Sequence, residues 1–194
     1  MSSSASSSEF VADPEQVASL TSSRPVSHGP VRAYDWIAHH TTHRPNNEAI
    51  RDIGSRRSFT YADLDRRIDA MAAYLASIGV GRGDRVGVLA HNGVEFFDVQ
   101  FACARRGAIC VLLNGRLTVT ELEYILNDSS PTLLVHDISF SESAEELQRR
   151  CSIGELLAID DGQATSPYEQ VLARFDGENG GRAALTHDDL ITIM

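Results

Sequence analysis

The stretch Arg85–Asn127, RVGVLAHNGVEFFDVQFACARRGAICVLLNGRLTVTELEYILN, together with Pro131–Asp137, PTLLVHD, decides the fold. Three apolar runs begin within these residues, at Val86, Ile109 and Thr132, and a fourth begins at Leu156, so that the starts lie 23, 23 and 24 residues apart. Runs such as Ile109–Leu113 and Leu133–Val135 are continuously apolar and do not alternate, as expected of strands covered on both faces. Helical patterns fill the gaps. Gly93–Arg106 carries Phe97, Phe101 and Ala104 on one face, Thr118–Asn127 carries Leu122, Ile125 and Leu126, and Ser143–Arg150 is a more polar third. Strand, helix and strand at this interval predict an α/β fold: a parallel sheet with helices on both faces and right-handed crossovers.

Capping chemistry agrees with this period. Asn92 with Glu95, Thr118 with Glu121, and Ser143 with Glu146 each place a side-chain acceptor three residues before a carboxylate at a helix start. Thr120 with Glu123 fits the same box, which leaves one start open by two residues. Upstream, Tyr34–Thr42 reads as a short helix burying Trp36 and Ile37 and halted at Arg44-Pro45. Strands over Glu48–Ile53 and Arg56–Thr60 flank a Gly54-Ser55 turn. Thr60 and Asp63 then open a helix whose Leu64, Ile68, Met71, Leu75 and Ile78 share a face, and Gly79 closes it. A fifth apolar run, Leu190–Met194, reads as a strand without the helix that should cover it, so an edge and apolar surface are expected to be exposed there.

The chain has 194 residues, 42% hydrophobic and 23% charged, enough to bury roughly two-thirds of its unfolded surface without staples. A net charge of -10 offers no basic stripe for nucleic acid and little attraction to an anionic membrane. No run approaches the ~20 apolar residues of a membrane span. Cys103, Cys110 and Cys151 form no CxxC and read as buried thiols of a reducing compartment, which places the chain in the cytoplasm. Residues 1–30, rich in Ser and Pro, read as a disordered or loosely attached leader, and residues 31–194 as the folded part.

Several polar groups invite a chemical reading, and each has a structural one beside it. Gly79, Gly81 and Gly83 resemble a phosphate cradle in composition, but they close a helix and lead into a strand, the reverse of what a cradle needs. They read as a turn. His39 and His43 have the i, i+4 spacing that can grip a metal, with His40 between them. No carboxylate or thiol joins them in HHTTH, so solvated or structural histidines are expected. His91-Asn92 and Asn114 with Arg116 follow the first and second parallel strands, at the carboxyl edge where open α/β sheets place ligands. The plainer expectation is that Asn92 caps the next helix. Asp160-Asp161-Gly162 reads as a turn in preference to a magnesium site, and Cys103 and Cys110 lack the His or Lys that would sharpen a thiol.

In order, FTYADLDRRIDAMAAYLASIGVGRGDRVGVLAHNGVEF, CARRGAICVLLNGRLTVTELEYIL and, after Asp128-Ser129-Ser130, PTLLVHD resemble the N-terminal part of the AMP-forming acyl-CoA synthetase and adenylate-forming ligase superfamily. The resemblance is carried by Gly79–Val86, Asn92–Phe96, Gly107-Ala108, Asn114–Thr118 and Glu121–Leu126, and it is close over about 80 residues, Phe59–Asp137. Leu113 and Val119 stand where the family often has proline. The resemblance implies a ligase that joins a carboxylic acid to ATP, with Mg2+, as an acyl adenylate, and then passes the acyl group to coenzyme A. It places the phosphate loop after a strand much like Asp188–Met194 and the remaining site residues later. No catalytic, cofactor-binding or metal-binding residue of that family is therefore carried onto this chain, none of its cofactors is expected to bind tightly here, and the rest of the ligase is an expected partner. The alternatives are a stand-alone flavodoxin-like binding module and a module that pairs through its last strand.

Overall fold

The computed structural model describes residues 35–160 and 165–194. The leader expected over residues 1–30 lies outside them, as do Asp161 and Gly162.

Helix α1, Trp36–His43, is opened by Asp35, whose Oδ1 accepts from the Ala38 N–H at 3.0 Å. Strands β1, Glu48–Arg51, and β2, Ser58–Thr60, pair antiparallel and are both shorter than the sequence suggests. The reason is Asp52. Its Oδ1 accepts from the N–H groups of Gly54 and Ser55 at 2.9 and 3.2 Å, folding the connection into an Asx turn that takes those residues off the ladder. Helix α2, Tyr61–Ser77, starts with the expected reciprocal box between Thr60 and Asp63 and buries Leu64, Ile68, Met71 and Leu75 completely. Gly79 follows it at φ +82°, left-handed backbone that a side chain would strain.

Five strands then form one parallel sheet: β3, Arg85–Leu89; β4, Ile109–Leu112; β5, Leu133–Asp137; β6, Glu155–Ile159; and β7, Thr192–Ile193. Their spatial order is β6-β5-β3-β4-β7. Val86 lies beside Cys110 on one flank and Leu133 on the other, and Val88 beside Leu112 and Val135. Successive side chains serve opposite layers, which is why the runs are apolar throughout. Val86, Val88, Cys110, Leu133, Val135, Leu157 and Ile159 join the layer packed with α2 and with α3, Val94–Arg106. Leu89, Val111 and Leu134 join the opposite layer, packed with α4, Val119–Ser129, and α5, Ser141–Arg150. The expected fold class, a parallel sheet with helices on both faces, is therefore observed. Each buried Leu, Ile or Val contributes about 1.5–3 kcal/mol, so these two layers dominate the stability.

Four local expectations need correction. Trp36 of α1 is 60% exposed, and Ile37 alone of that helix is buried. Helix α3 is capped by Gly93 without any side-chain bond, so Asn92 and Glu95 form no capping box. Glu95 is only 5% exposed and turns instead to Arg57. Helix α5 starts at Ser141 and not Ser143, again without a side-chain cap, and Glu146 pairs with Arg150. Helix α4 does use Thr118 with Glu121, which settles its start at Val119. An additional helix, α6, Pro167–Arg174, lies outside the helices expected from the periodicity. Its signal is nonetheless written in Ser166-Pro167-Tyr168-Glu169: the Ser166 hydroxyl accepts from the Glu169 N–H at 3.1 Å, with proline at the first helical position. At the far end of the sheet, Ile193 and Met194 are 39% and 96% exposed.

Candidate functional site at the carboxyl edge of the sheet

Strands β3 and β5 are neighbours, yet the chain leaves them in opposite directions. From β3 it passes through α3 to β4 on one side, and from β5 through α5 to β6 on the other. The loops therefore diverge and open a crevice at the carboxyl ends, the position at which open α/β sheets bind ligands. His91 leaves β3 at that point, and Asp137 ends β5.

The two residues meet. Asp137 Oδ2 accepts from the His91 backbone N–H at 2.5 Å and contacts its ring Nδ1 at 2.7 Å. The imidazole is 73% exposed, while the carboxylate is 13% exposed and fixed by its strand. Phe140 stacks on the ring, with centroids 5.1 Å apart and planes 22° from parallel. A carboxylate on Nδ1 selects the tautomer that presents Nε2 outward as an acceptor, or as a donor when the ring is protonated. The imidazole is thus both held and aimed.

Asn114 and Arg116 lie beside it. The Asn114 side-chain oxygen accepts from the Arg116 N–H at 3.0 Å, and the Asn114 carbonyl accepts from the Leu117 N–H at 3.0 Å, a tight turn off β4. A β-carbon on Gly115 would sit 2.6 Å from the tip of the Phe140 ring, so a glycine here is what lets Phe140 reach His91. Together with His91 and Asn92 these residues line a cleft of about 510 Å³. On the other side of His91-Asn92 a second cleft, about 380 Å³, is lined by Asp52, Ser55, Arg57, Glu95 and Asp137. The structure thus brings His91, Asn92, Asn114 and Arg116 to one edge, as expected. Asp137 and Phe140 are the members that sequence reasoning missed.

The other candidates sit apart from this edge. Gly79, Gly81 and Gly83 form the turn at the amino end of β3, where the Gly81 N–H donates to Asp84 at 2.8 Å and the Gly83 N–H to the Gly107 carbonyl at 2.9 Å. His39, His40 and His43 cluster on α1, with the His39 and His43 rings 4.3 Å apart. Partial desolvation, then His43, His40 and Arg44, hold the His39 imidazole below its ordinary pKa. Cys103 and Cys110 are fully buried between α3 and β4, and the Cys103 thiol is pushed well up by its neighbour Cys110 and by burial. Among the described residues no set of three His, Cys, Asp or Glu is arranged to hold a metal ion.

A profile of the family described as AMP-binding enzyme matches residues 37–194. The chain belongs to that family. It is 34% identical over 165 residues to a feruloyl-CoA synthase of an Amycolatopsis species, covering 80% of this chain and 33% of that protein. It is 35% identical over 149 residues to a crotonobetaine/carnitine–CoA ligase of Salmonella enteritidis, covering 73% of this chain and 28% of the relative. The N-terminal domain of FACL13 from Mycobacterium tuberculosis superimposes with a TM-score of 0.72 at 22% identity, over 81% of this chain and 40% of that one. The anthranilate CoA ligase AuaEII gives 0.71 at 21% identity, over 80% of this chain and 29% of its own. The chain spans about a third of the length of the curated relatives it matches. None of its described helices is long and apolar enough to cross a membrane.

One outcome follows directly from the edge geometry. With Asp137→Ala the His91 N–H loses its carboxylate acceptor at a solvent-facing loop, so its amide hydrogen exchange should accelerate at least tenfold while the β3 amides keep their protection. Unchanged exchange at His91 would show that Asp137 does not hold the loop.

Proposed function

We propose that this chain is the N-terminal portion of an AMP-forming acid–CoA ligase and does not catalyse by itself. In this reading a carboxylic acid is activated with ATP and Mg2+ to an acyl adenylate and then transferred to coenzyme A. The chain supplies the sheet scaffold and the His91-Asp137 edge, and the rest of the ligase supplies the adenylating groups. The supporting observation is the family match over residues 37–194 combined with CoA-forming relatives at 34–35% identity. A cytoplasmic location is part of the proposal, and three thiols that form no disulfide support it.

The test is a chimera in which residues 37–194 replace the corresponding stretch of the feruloyl-CoA synthase relative. Ferulate-dependent exchange of pyrophosphate into ATP is expected to rise clearly above the acid-free background. A chimera that melts cooperatively and still shows no exchange contradicts the proposal.

A further inference from the structure

From the smaller carboxyl-edge cleft, where Asp52, Arg57 and Glu95 line its wall, a ladder of charges runs inward to Asp98, and the ligase reading does not use its buried end. Asp98 of α3 is 0% exposed. Its Oδ2 accepts from Arg67 Nε and Nη2 at 2.9 and 2.8 Å and from the Tyr168 hydroxyl at 3.2 Å. Its Oδ1 is buried and has no hydrogen-bond partner among the described residues. Arg67 of α2 also grips both oxygens of Glu169 on α6, at 2.8 Å each. Glu169 accepts in turn from Arg57 at 3.2 Å, and Arg57 donates to Glu95 of α3 at 2.6 Å. Both guanidiniums lie over the Phe59 ring, 5.3 and 5.1 Å from its centre.

The charges do not balance. Two guanidiniums face the three carboxylates of Glu95, Asp98 and Glu169, and Asp52, 3.8 Å from Arg57, adds a fourth at the outer end. An unmatched negative charge inside a protein is costly, and an orphaned carboxylate oxygen compounds the cost. A proton is the smallest remedy. We propose that Asp98 is a buried proton switch, and that its charge state sets how firmly α6 is held against α2 and α3. With the proton on, Arg57 and Arg67 balance Glu95 and Glu169, only Asp52 at the outer end is left over, and α6 is clasped through Tyr168 and Glu169. With the proton off, Glu95, Asp98 and Glu169 repel one another across the α3–α6 contact.

Burial, opposed by Arg67 and reinforced by Glu95 and Glu169, pushes the Asp98 carboxyl up to about 7. A carboxyl raised in the folded state binds its proton more tightly there than when unfolded. Its stabilising contribution is full below its ordinary value of 3.8 and is lost as pH rises through about 7.

Hydrogen exchange of the α6 amides, corrected for intrinsic rates, reads the switch. Between pH 6 and pH 8 their protection should fall by up to about tenfold, with a plateau above that range, and Asp98→Asn should abolish the pH dependence. In parallel, one aspartate carboxyl carbon in the NMR spectrum should titrate near neutrality. Should Asp98→Asn fail to fold, Glu169→Gln serves instead, since removing a neighbouring negative charge moves that titration to lower pH. Protection at α6 that does not change between pH 6 and 8, or the lack of any aspartate titrating above pH 6, overturns the proposal.

Discussion

Arg105→Met should lower the unfolding free energy by about 3–5 kcal/mol, the typical cost of stripping one partner from a buried ion pair. For a domain of this size that corresponds to a fall of roughly 10–15 °C in the melting midpoint. Arg105 is the last-turn residue of α3 whose side chain is 2% exposed. Its guanidinium donates to Asp35 at 2.9 Å, Asp65 at 2.5 Å and Asp69 at 2.6 Å, and also to the Asp65 carbonyl at 3.2 Å. One cation thus gathers the N-cap of α1 and one face of α2 onto α3. Methionine keeps the volume and removes the charge, leaving three carboxylates to share Arg182. That residue is 44% exposed, so Arg182→Ala should cost less than about 1 kcal/mol.

The pH dependence of the Arg105 variant carries a definite sign. Burial alone would raise the Asp35 carboxyl, but the Ala38 N–H, Arg105 and Arg182 outweigh it and hold the group below its ordinary value of 3.8. A depressed carboxyl contributes stability above its unfolded value and loses it as pH falls through the lower folded one. The gap between wild type and Arg105→Met should therefore be widest near neutrality and narrow below about pH 4. Thermal melts at pH 3 and pH 7 would measure both gaps. Equal gaps would mean that Arg105 acts through packing alone.

Much of the architecture was legible because it depends on local pattern. Continuous apolar runs near 23-residue spacing can hardly be anything but strands of a parallel sheet, and Thr60 with Asp63 and Thr118 with Glu121 fix two helix starts through short-range hydrogen bonds. Four of the six residues of the candidate site were legible too, since His91, Asn92, Asn114 and Arg116 follow strand ends. Asp137 was not, because the spacing says nothing about which strand lies beside which. Only the order β5-β3 brings an aspartate 46 residues away onto the His91 loop. Glu95 misled for a related reason: its position three residues after Asn92 satisfies a local rule, but the half-buried Arg57 between β1 and β2 competes for it and wins. Asp98 and Glu169 look like surface charges in the sequence, and only the packing of α6 turns them inward.

The second large effect concerns catalysis. Accelerations of ~10⁶-fold or more require preorganised donors around the reacting phosphate. Within the described residues the glycine-rich turn lies at the amino end of β3, away from His91. The relatives with CoA-ligase names are about three times as long as the stretch they share with this chain. The most direct measurement is acid-dependent exchange of labelled pyrophosphate into ATP by the purified 194-residue chain, with Mg2+ and a panel of aliphatic and aromatic carboxylic acids. Exchange indistinguishable from the acid-free control is expected for every acid. Exchange that rises with any one of them, in a folded preparation, would contradict the proposal that the scaffold alone does not catalyse.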